Sequence, residues 1–532
     1  MTKSFNTAGD CKPQMHYMVD ITKRLKQIQG MIDKGEYFMI SRGRQYGKTT
    51  TLRNLKQFLE PGYLVVSLDF QKIGNARFQN ENLFSTAFTR LFVKAVRQQI
   101  LFEPELVKES VRMLESTAQG SAYFGLLELF DCLSSICAES AKPVVLMIDE
   151  VDSATDNQVF LDFLAQLRAY YIDRDLTPTF QSVILAGVYD IKNLKQKIRP
   201  EEEHKRNSPW NIAANFDIDM SFSAADIEKM LEEYEQDRHT GMHTAMIAGL
   251  LYDYTCGYPF LVSRLCQILD ETVAGSPAFL DQASAWTKEG VLEAVKMILS
   301  EKNTLFESLA NKLAAYPKLK ELLYTALFSG ERISYNPDND IFDIAAMFGF
   351  IKNNRGIMAV ANRIFETRLY NLFLSEDEVS SRIFAVSSMD KNQFIQGGQL
   401  NMDLVLKKFM ACWDELYSSA DEKFVEENGR KFFLLYLKPI INGVGNYYVE
   451  SRTRDNRRTD IIVDYRGKQY IVEIKIWRGN EYENRGMKQL AGYLDAYNAK
   501  KGYLVSFNFN KHKITGAREI QTGEKHILEV VV

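Results

Sequence analysis

The chain has 532 residues, 46% of them hydrophobic and 25% charged, with a formal net charge of −4. That length allows about three domains, and the composition excludes a disordered polypeptide. The charge excludes a globally basic nucleic-acid binder, so any such surface must be local. Cys11, Cys132, Cys137, Cys256, Cys266 and Cys412 lack paired metal spacing, which points to a reducing cytoplasm rather than a disulfide framework. The start, Met1 to His16, is polar and has no signal-peptide core. No apolar run approaches about twenty residues. A cytoplasmic protein without a membrane span is therefore expected.

A helix over Ile21–Lys34 leads to a short apolar strand, Tyr37–Ser41. The loop Arg42-Gly43-Arg44-Gln45-Tyr46-Gly47-Lys48-Thr49-Thr50 follows, and then a helix through Leu59. Strand, loop, Gly-Lys-Thr and helix is the P-loop arrangement, in which loop amides and a helix N-terminus form an anion site. Lys48 is expected to reach the β and γ phosphates of ATP, and Thr49 to place its hydroxyl on Mg²⁺. The loop departs from the usual pattern, because Arg42 stands where the first Gly belongs and Gly43 comes one residue late. Gly43 can still supply the permissive backbone.

Tyr63–Asp69 reads as a second strand. Residues 81–140 read as largely helical, with Phe84, Phe88, Leu91, Phe92 and Ala95 on one helix face. Pro143–Ile148 is a buried parallel strand that ends in Asp149-Glu150. There Asp149 would face the Mg²⁺ water shell and Glu150 would polarise the attacking water. Ser182–Gly187 reads as a sensor strand, and Asp217–Met220 as the last strand. Lys192, Lys195, Lys197, Arg199, Lys205 and Arg206 lie between these two. An arginine finger would sit in this interval in a ring-forming ATPase, but a solvated helix and loop explains it as well. Gly257-Tyr258-Pro259 opens a lid helix that carries Arg264.

The N-terminal part resembles the bacterial AAA-ATPase-like family with an Arg-Gln-Tyr-Gly-Lys-Thr loop. The residues that carry the resemblance are Arg44–Thr49, Leu68-Asp69-Phe70-Gln71 and Ala186-Gly187-Val188-Tyr189-Asp190. It extends over about residues 15–375, and such proteins often end in a PD-(D/E)XK domain. The resemblance implies ATP and Mg²⁺ at Gly43, Arg44, Gln45, Tyr46, Gly47, Lys48, Thr49, Thr50 and Asp149, and it admits a homo-oligomer.

Residues 318–375 read as helices followed by a hairpin, Gly349–Lys352 and Ile357–Val360 around Asn353–Gly356, which suggests a winged helix. Residues 376–400, rich in Ser, Asp, Gln and Gly, read as a linker. Two strands follow further on, Thr459–Tyr465 and Tyr470–Lys475, joined by Arg466-Gly467-Lys468. Glu473 and Lys475 are two apart and share a face, and the hairpin can bring Asp460 beside them. Two carboxylates can hold Mg²⁺, and a lysine can orient a water at a scissile phosphate.

This pattern resembles the PD-(D/E)XK nuclease superfamily over roughly residues 401–532, although Thr459 stands where that family's Pro belongs. The resemblance implies a further acidic residue, Glu426 or Glu427, on a helix at 421–438. It also implies Gln489 four residues before Tyr493 on a later helix. Arg452, Arg454, Arg457 and Arg458 lie next to Asp460. Residues 450–515 carry fourteen Lys/Arg against eight Asp/Glu. Tyr447, Tyr448, Trp477 and Tyr482 interleave with them and could stack on bases.

The expected fold class is α/β. It comprises a P-loop AAA-type ATPase with helical lid (15–275), a helical or winged-helix domain (276–375), a linker (376–400) and a restriction-endonuclease-like domain (401–532). The expected function is ATP hydrolysis coupled to Mg²⁺-dependent cleavage of nucleic acid, with DNA as the partner, in defence or mobile-element biology. The alternative is an ATP-dependent switch that binds nucleic acid without cutting it. A third class, a protein-assembly ATPase with no nucleic-acid partner, is weakly opposed by the local basic charge.

Overall fold

The computed structural model describes residues 3–97, 99–154, 157–188, 210–328, 333–378, 381–389, 391–417, 422–449, 461–476, 487, 490–495, 497, 499–508 and 515–532, with backbone only at 377–378 and 422–427. The chain forms two compact units. One comprises Met1–His239, Gly257–Arg264 and Met347–Gly349, and the other Thr240–Cys256, Leu265–Ala346 and Phe350–Val532.

The first unit is built on four parallel strands: β1 (Phe38–Ser41), β2 (Leu64–Asp69), β3 (Val144–Asp149) and β4 (Ser182–Gly187), in the order β1-β4-β3-β2. All six residues of β3 and of β4 are buried, as expected of strands covered on both faces. Helices Glu81–Val96, Glu105–Gly120, Leu126–Glu139 and Gln158–Ile172 pack their apolar stripes on the sheet. Phe84, Phe88 and Phe92 are fully buried, as the spacing predicts. Phe70 sits among the rings of Phe78, Phe84, Phe88, Phe160 and Phe163, with centroids 6.0–6.4 Å apart. Each such ring contributes roughly 1.5–3 kcal/mol through its removal from water.

Asp217–Met220 is not a strand. The chain touches the sheet edge at one parallel bridge, Phe38 to Ala214. The reason is competition for carbonyls. Arg42 donates to the carbonyls of Phe216 (3.3 Å) and Ile218 (3.1 Å), and Arg24 to that of Met220 (2.8 Å), so no ladder forms there. The stretch Lys192–Arg206, with Tyr189 and Asp190, lies outside the described residues.

The second unit contains helices between Thr244 and Ile441, two short hairpins and a six-stranded sheet. The first hairpin pairs β5 (Ile351–Asn354) with β6 (Ile357–Val360), close to expectation. Within 376–400 the chain forms a helix at Arg382–Met389 and a second hairpin, β7 (Ile395–Gln396) with β8 (Gln399–Leu400). The large sheet comprises β9 (Gly445–Val449), β10 (Ile461–Tyr465), β11 (Lys468–Ile476), β12 (Lys501–Phe507), β13 (Gly516–Thr522) and β14 (Lys525–Val531). Its order is β13-β14-β12-β11-β10-β9. β9, β10 and β11 form an antiparallel meander, β12 runs parallel to β11, and β14 parallel to β12. A helix at Glu422–Ile441 precedes the meander.

Three of the two-residue turns have a common cause. Arg355-Gly356, Gly397-Gly398 and Arg466-Gly467 all have positive φ at both central positions. That conformation matches the twist of the flanking strands, and the glycine makes it affordable. Among the described residues no helix is long and apolar enough to cross a membrane.

Candidate functional site

The helix Lys48–Leu59 starts directly after the loop that leaves β1. Gly47 caps it in the left-handed region (φ 80°), and Gln45 is also left-handed (φ 57°). These two reversals wrap the loop over the helix N-terminus. Gly43 is required for a different reason: a Cβ there would lie 2.6 Å from the Phe348 carbonyl oxygen. Tyr258 closes the loop from the same side. Its hydroxyl donates to the Arg44 carbonyl and its ring meets Tyr46 edge-on at 4.6 Å.

Lys48 is buried, with Nζ donating to the carbonyls of Arg42 (2.9 Å) and Gly43 (3.0 Å). Burial lowers its pKa, while Asp152, Glu150 and Asp149 act in the opposite sense. The ammonium is thus held by dipoles that an incoming polyanion can replace. Thr49 Oγ1 donates to Asp149 Oδ2 at 2.8 Å, across the gap between the helix start and the end of β3. Thr50 turns the other way and accepts from the Cys11 amide at 3.2 Å.

Asp149 and Glu150 both have raised pKa values. Burial is the main cause for each, and Asp149 adds to the effect on Glu150. The β2–β3 register sets Asp69 beside Asp149. Glu150 is left-handed (φ 55°), a costly conformation for a residue with a side chain, and Ser153 fixes it by donating from N (3.2 Å) and Oγ (2.9 Å) to its carbonyl. A carboxyl group of raised pKa on a backbone fixed at this point suits proton abstraction.

Two contributors are not evident from the motif. Asp152 Oδ2 accepts from the Val188 amide at 2.6 Å, tying the segment after β3 to the end of β4. Arg42, the departure from the usual loop, stacks on Phe216 at 5.5 Å and anchors the 216–218 chain.

In the second unit, Glu473 and Lys475 fall on one face of β11. Glu473 is fully buried, and Lys475 Nζ lies 2.8 Å from its Oε1. Asp460 and Gln489 lie outside the described residues, as do Arg452, Arg454, Arg457, Arg458, Trp477 and Tyr482. Glu426 and Glu427 lie on the helix Glu422–Ile441, and their side chains are likewise outside the description. Tyr493 is buried in a core with Ile471, Leu490, Leu494, Leu504 and Ile527. Tyr447 and Tyr448 do not offer rings for stacking. Both are buried, Tyr447 donating to Asn371 Oδ1 (3.1 Å) and Tyr448 packed edge-on against Tyr254 at 5.2 Å. Among the described residues no group of three or more His, Cys, Asp or Glu is placed to hold a metal ion.

No curated protein matches the sequence. Among solved structures, the chain is similar to a Walker-type ATPase of Pyrococcus abyssi (12% identity, 69% of this chain and 99% of that one, TM-score 0.47). It is also similar to the Aeropyrum pernix ORC2 protein, solved with ADPNP and ADP (11%, 70% and 96%, 0.37). A third is the Aeropyrum pernix ORC1 protein in complex with DNA (11%, 66% and 93%, 0.29). The sequence profile of the AAA-like domain matches residues 14–333. That match spans more than half of the chain, and the chain belongs to the AAA-like domain family.

Proposed function

We propose that the protein binds and hydrolyses ATP at the P-loop and couples this cycle to the cleavage of nucleic acid, with DNA as the expected substrate, by its C-terminal region. The observation that carries the ATPase reading is the convergence of Lys48, Thr49, Asp149 and Glu150 at one end of the parallel sheet. Thr49 Oγ1 and Asp149 Oδ2 are hard oxygen donors 2.8 Å apart, a donor set that fits Mg²⁺. When bound, the metal would neutralise phosphate charge. Lys48 would bind the β and γ phosphates, and Glu150 would take the proton of the attacking water.

One observation supports cleavage: the buried Glu473 beside Lys475 on a strand between an antiparallel meander and a parallel partner. Ile461 pairs with Val472, and in the sequence Asp460 immediately precedes the one and Glu473 immediately follows the other. Asp460 and Glu473 would hold Mg²⁺, with Glu426 and Gln489 completing the cleft and Lys475 orienting water. The same ion pair favours a second reading. A Glu473 permanently neutralised by Lys475 takes no metal, and the region then binds nucleic acid without cutting it. The hairpin β5–β6 after helices Thr304–Ala315, Pro317–Phe328 and Asp340–Met347 supports a winged helix as a further contact.

The test is incubation of the protein with plasmid and Mg²⁺, with and without ATP. The wild type should cut and the Asp460→Ala and Glu473→Gln variants should not. Binding without cleavage by all three proteins would leave the regulatory switch.

A further inference from the structure

A cleft of about 340 Å³ lies within the second unit. It is bounded by the chain at Ala278-Phe279, the helix Lys288–Ser300, the start of β9 and the β10–β11 turn. Phe279, Leu292 and Val444 provide apolar walls. Gly445 is needed where β9 passes close to its neighbour, because a Cβ there would meet the Asp464 carbonyl oxygen at 2.5 Å.

Asp464 lines this cleft and is 7% exposed. The Gly467 amide hydrogen-bonds to its carboxyl group. Its Oδ2 is buried with no hydrogen-bond partner among the described residues. A buried polar oxygen without a partner costs about 1–3 kcal/mol, more when charged, so a donor that enters the cleft recovers that cost. The nearby cations do not supply it. Lys296 is held by both oxygens of Glu293, at 2.8 and 2.9 Å. Lys288 reaches Gln469 Oε1 at 3.5 Å. Glu289 is exposed at the mouth, near Gly467.

These features select a ligand class. Asp464 and Glu289 disfavour an anion, the charge of Glu293 being matched by Lys296. The apolar walls and the lack of a metal-ligand cluster among the described residues disfavour a hydrated divalent ion. A volume at the small end of ligand sites fits a compact molecule.

We propose that this cleft is a binding site for an organic cation, an ammonium or guanidinium on a short apolar stem, with its N–H donors on Asp464 Oδ2 and its charge offset by Glu289 at the mouth. The apolar walls cover the stem. Lys296 and Arg466 also line the cleft and, with Glu289 and Glu293, set the charge around it.

The test is calorimetric titration of the full chain at pH 8 with agmatine, and in a second arm with a short acetylated Gly-Arg-Gly peptide. Saturable binding of either supports the site. Tighter binding of agmatine assigns a free small molecule, and tighter binding of the peptide assigns an arginine side chain of a polypeptide. Asp464→Asn, which keeps the shape and removes the charge, should weaken binding about tenfold or more, as expected for loss of a charge-assisted hydrogen bond. Glu289→Gln, at an exposed position, should weaken it about threefold by loss of a partly screened charge. Glu473→Gln should bind as the wild type does, which separates this site from the candidate nuclease residues. Equal affinity in the wild type and Asp464→Asn would overturn the proposal. So would the absence of heat with both probes, or saturation by MgCl₂ in their place.

Discussion

Asp464→Asn also makes a stability prediction independent of any ligand. Burial raises the Asp464 pKa from the ordinary 3.8 to about 6. The folded protein therefore holds this proton at pH values where the unfolded chain has released it. Between about pH 4 and 6 the native state binds more protons than the unfolded state, so its stability falls as pH rises. The penalty is absent below the unfolded value and complete above about pH 6. A shift of about two units corresponds to a ceiling of roughly 3 kcal/mol at 1.36 kcal/mol per unit. The carboxyl group borders an open cleft, so about 1–3 kcal/mol is expected. Asparagine carries no charge at any of these pH values. The variant should be more stable than wild type by that amount at pH 8, and equal to it within about 0.5 kcal/mol near pH 4. Hydrogen exchange of the β10 amides in a urea series reads this locally. A variant less stable than wild type at pH 8, or a difference independent of pH, would refute the reasoning.

Three further outcomes are expected. Lys48→Ala should abolish ATP binding in a fluorescent-nucleotide titration, whereas Glu150→Gln should bind normally and lose about 10²-fold or more in turnover, the usual worth of a general base. Equal hydrolysis by wild type and Glu150→Gln would remove Glu150 from its role. Gly257→Ala should lower the stability of the first unit by about 2 kcal/mol or more, because φ is 72° and the added Cβ would lie 1.9 Å from the Phe222 carbonyl oxygen; an unchanged melting temperature would contradict this. Neutralising Arg452, Arg454, Arg457 and Arg458 together should weaken nucleic-acid binding and flatten its salt dependence, without changing ATP hydrolysis in the absence of nucleic acid. An unchanged salt slope would place the binding surface elsewhere, with the β5–β6 hairpin next in line.

The P-loop and the strand ending in Asp149-Glu150 were legible because their signals are local: a short apolar run, a turn and a helix start within a few residues. The hairpin turns were legible for the same reason, since Arg466-Gly467 and Arg355-Gly356 carry their conformational demand in the sequence. What was not legible depends on distant partners. Asp217–Met220 has the alternation of a strand, yet Arg42 and Arg24 capture the carbonyls such a strand would offer its neighbour. Arg42 reads as a flaw in the motif until its partners, some 175 residues away, are known. Asp464 reads as one more residue of an alternating strand, because a cleft has no sequence signature. Tyr447 and Tyr448 looked available as aromatic surface, but β9 is covered on both faces, and consecutive side chains are buried together.

The packing of Gly43 against the Phe348 carbonyl sets a schedule for synthesis. The loop leaves the ribosome early, but its backing residues, Met347–Gly349, follow more than a hundred residues after the first long segment of the unit ends at His239. At translation rates of roughly 5–20 residues per second, the first segment, complete at His239, waits on the order of 5–20 s for that support. During this interval the nascent chain carries its sheet and Lys48 but lacks the wall against which Gly43 rests, so nucleotide competence should arise only once residue 349 has emerged.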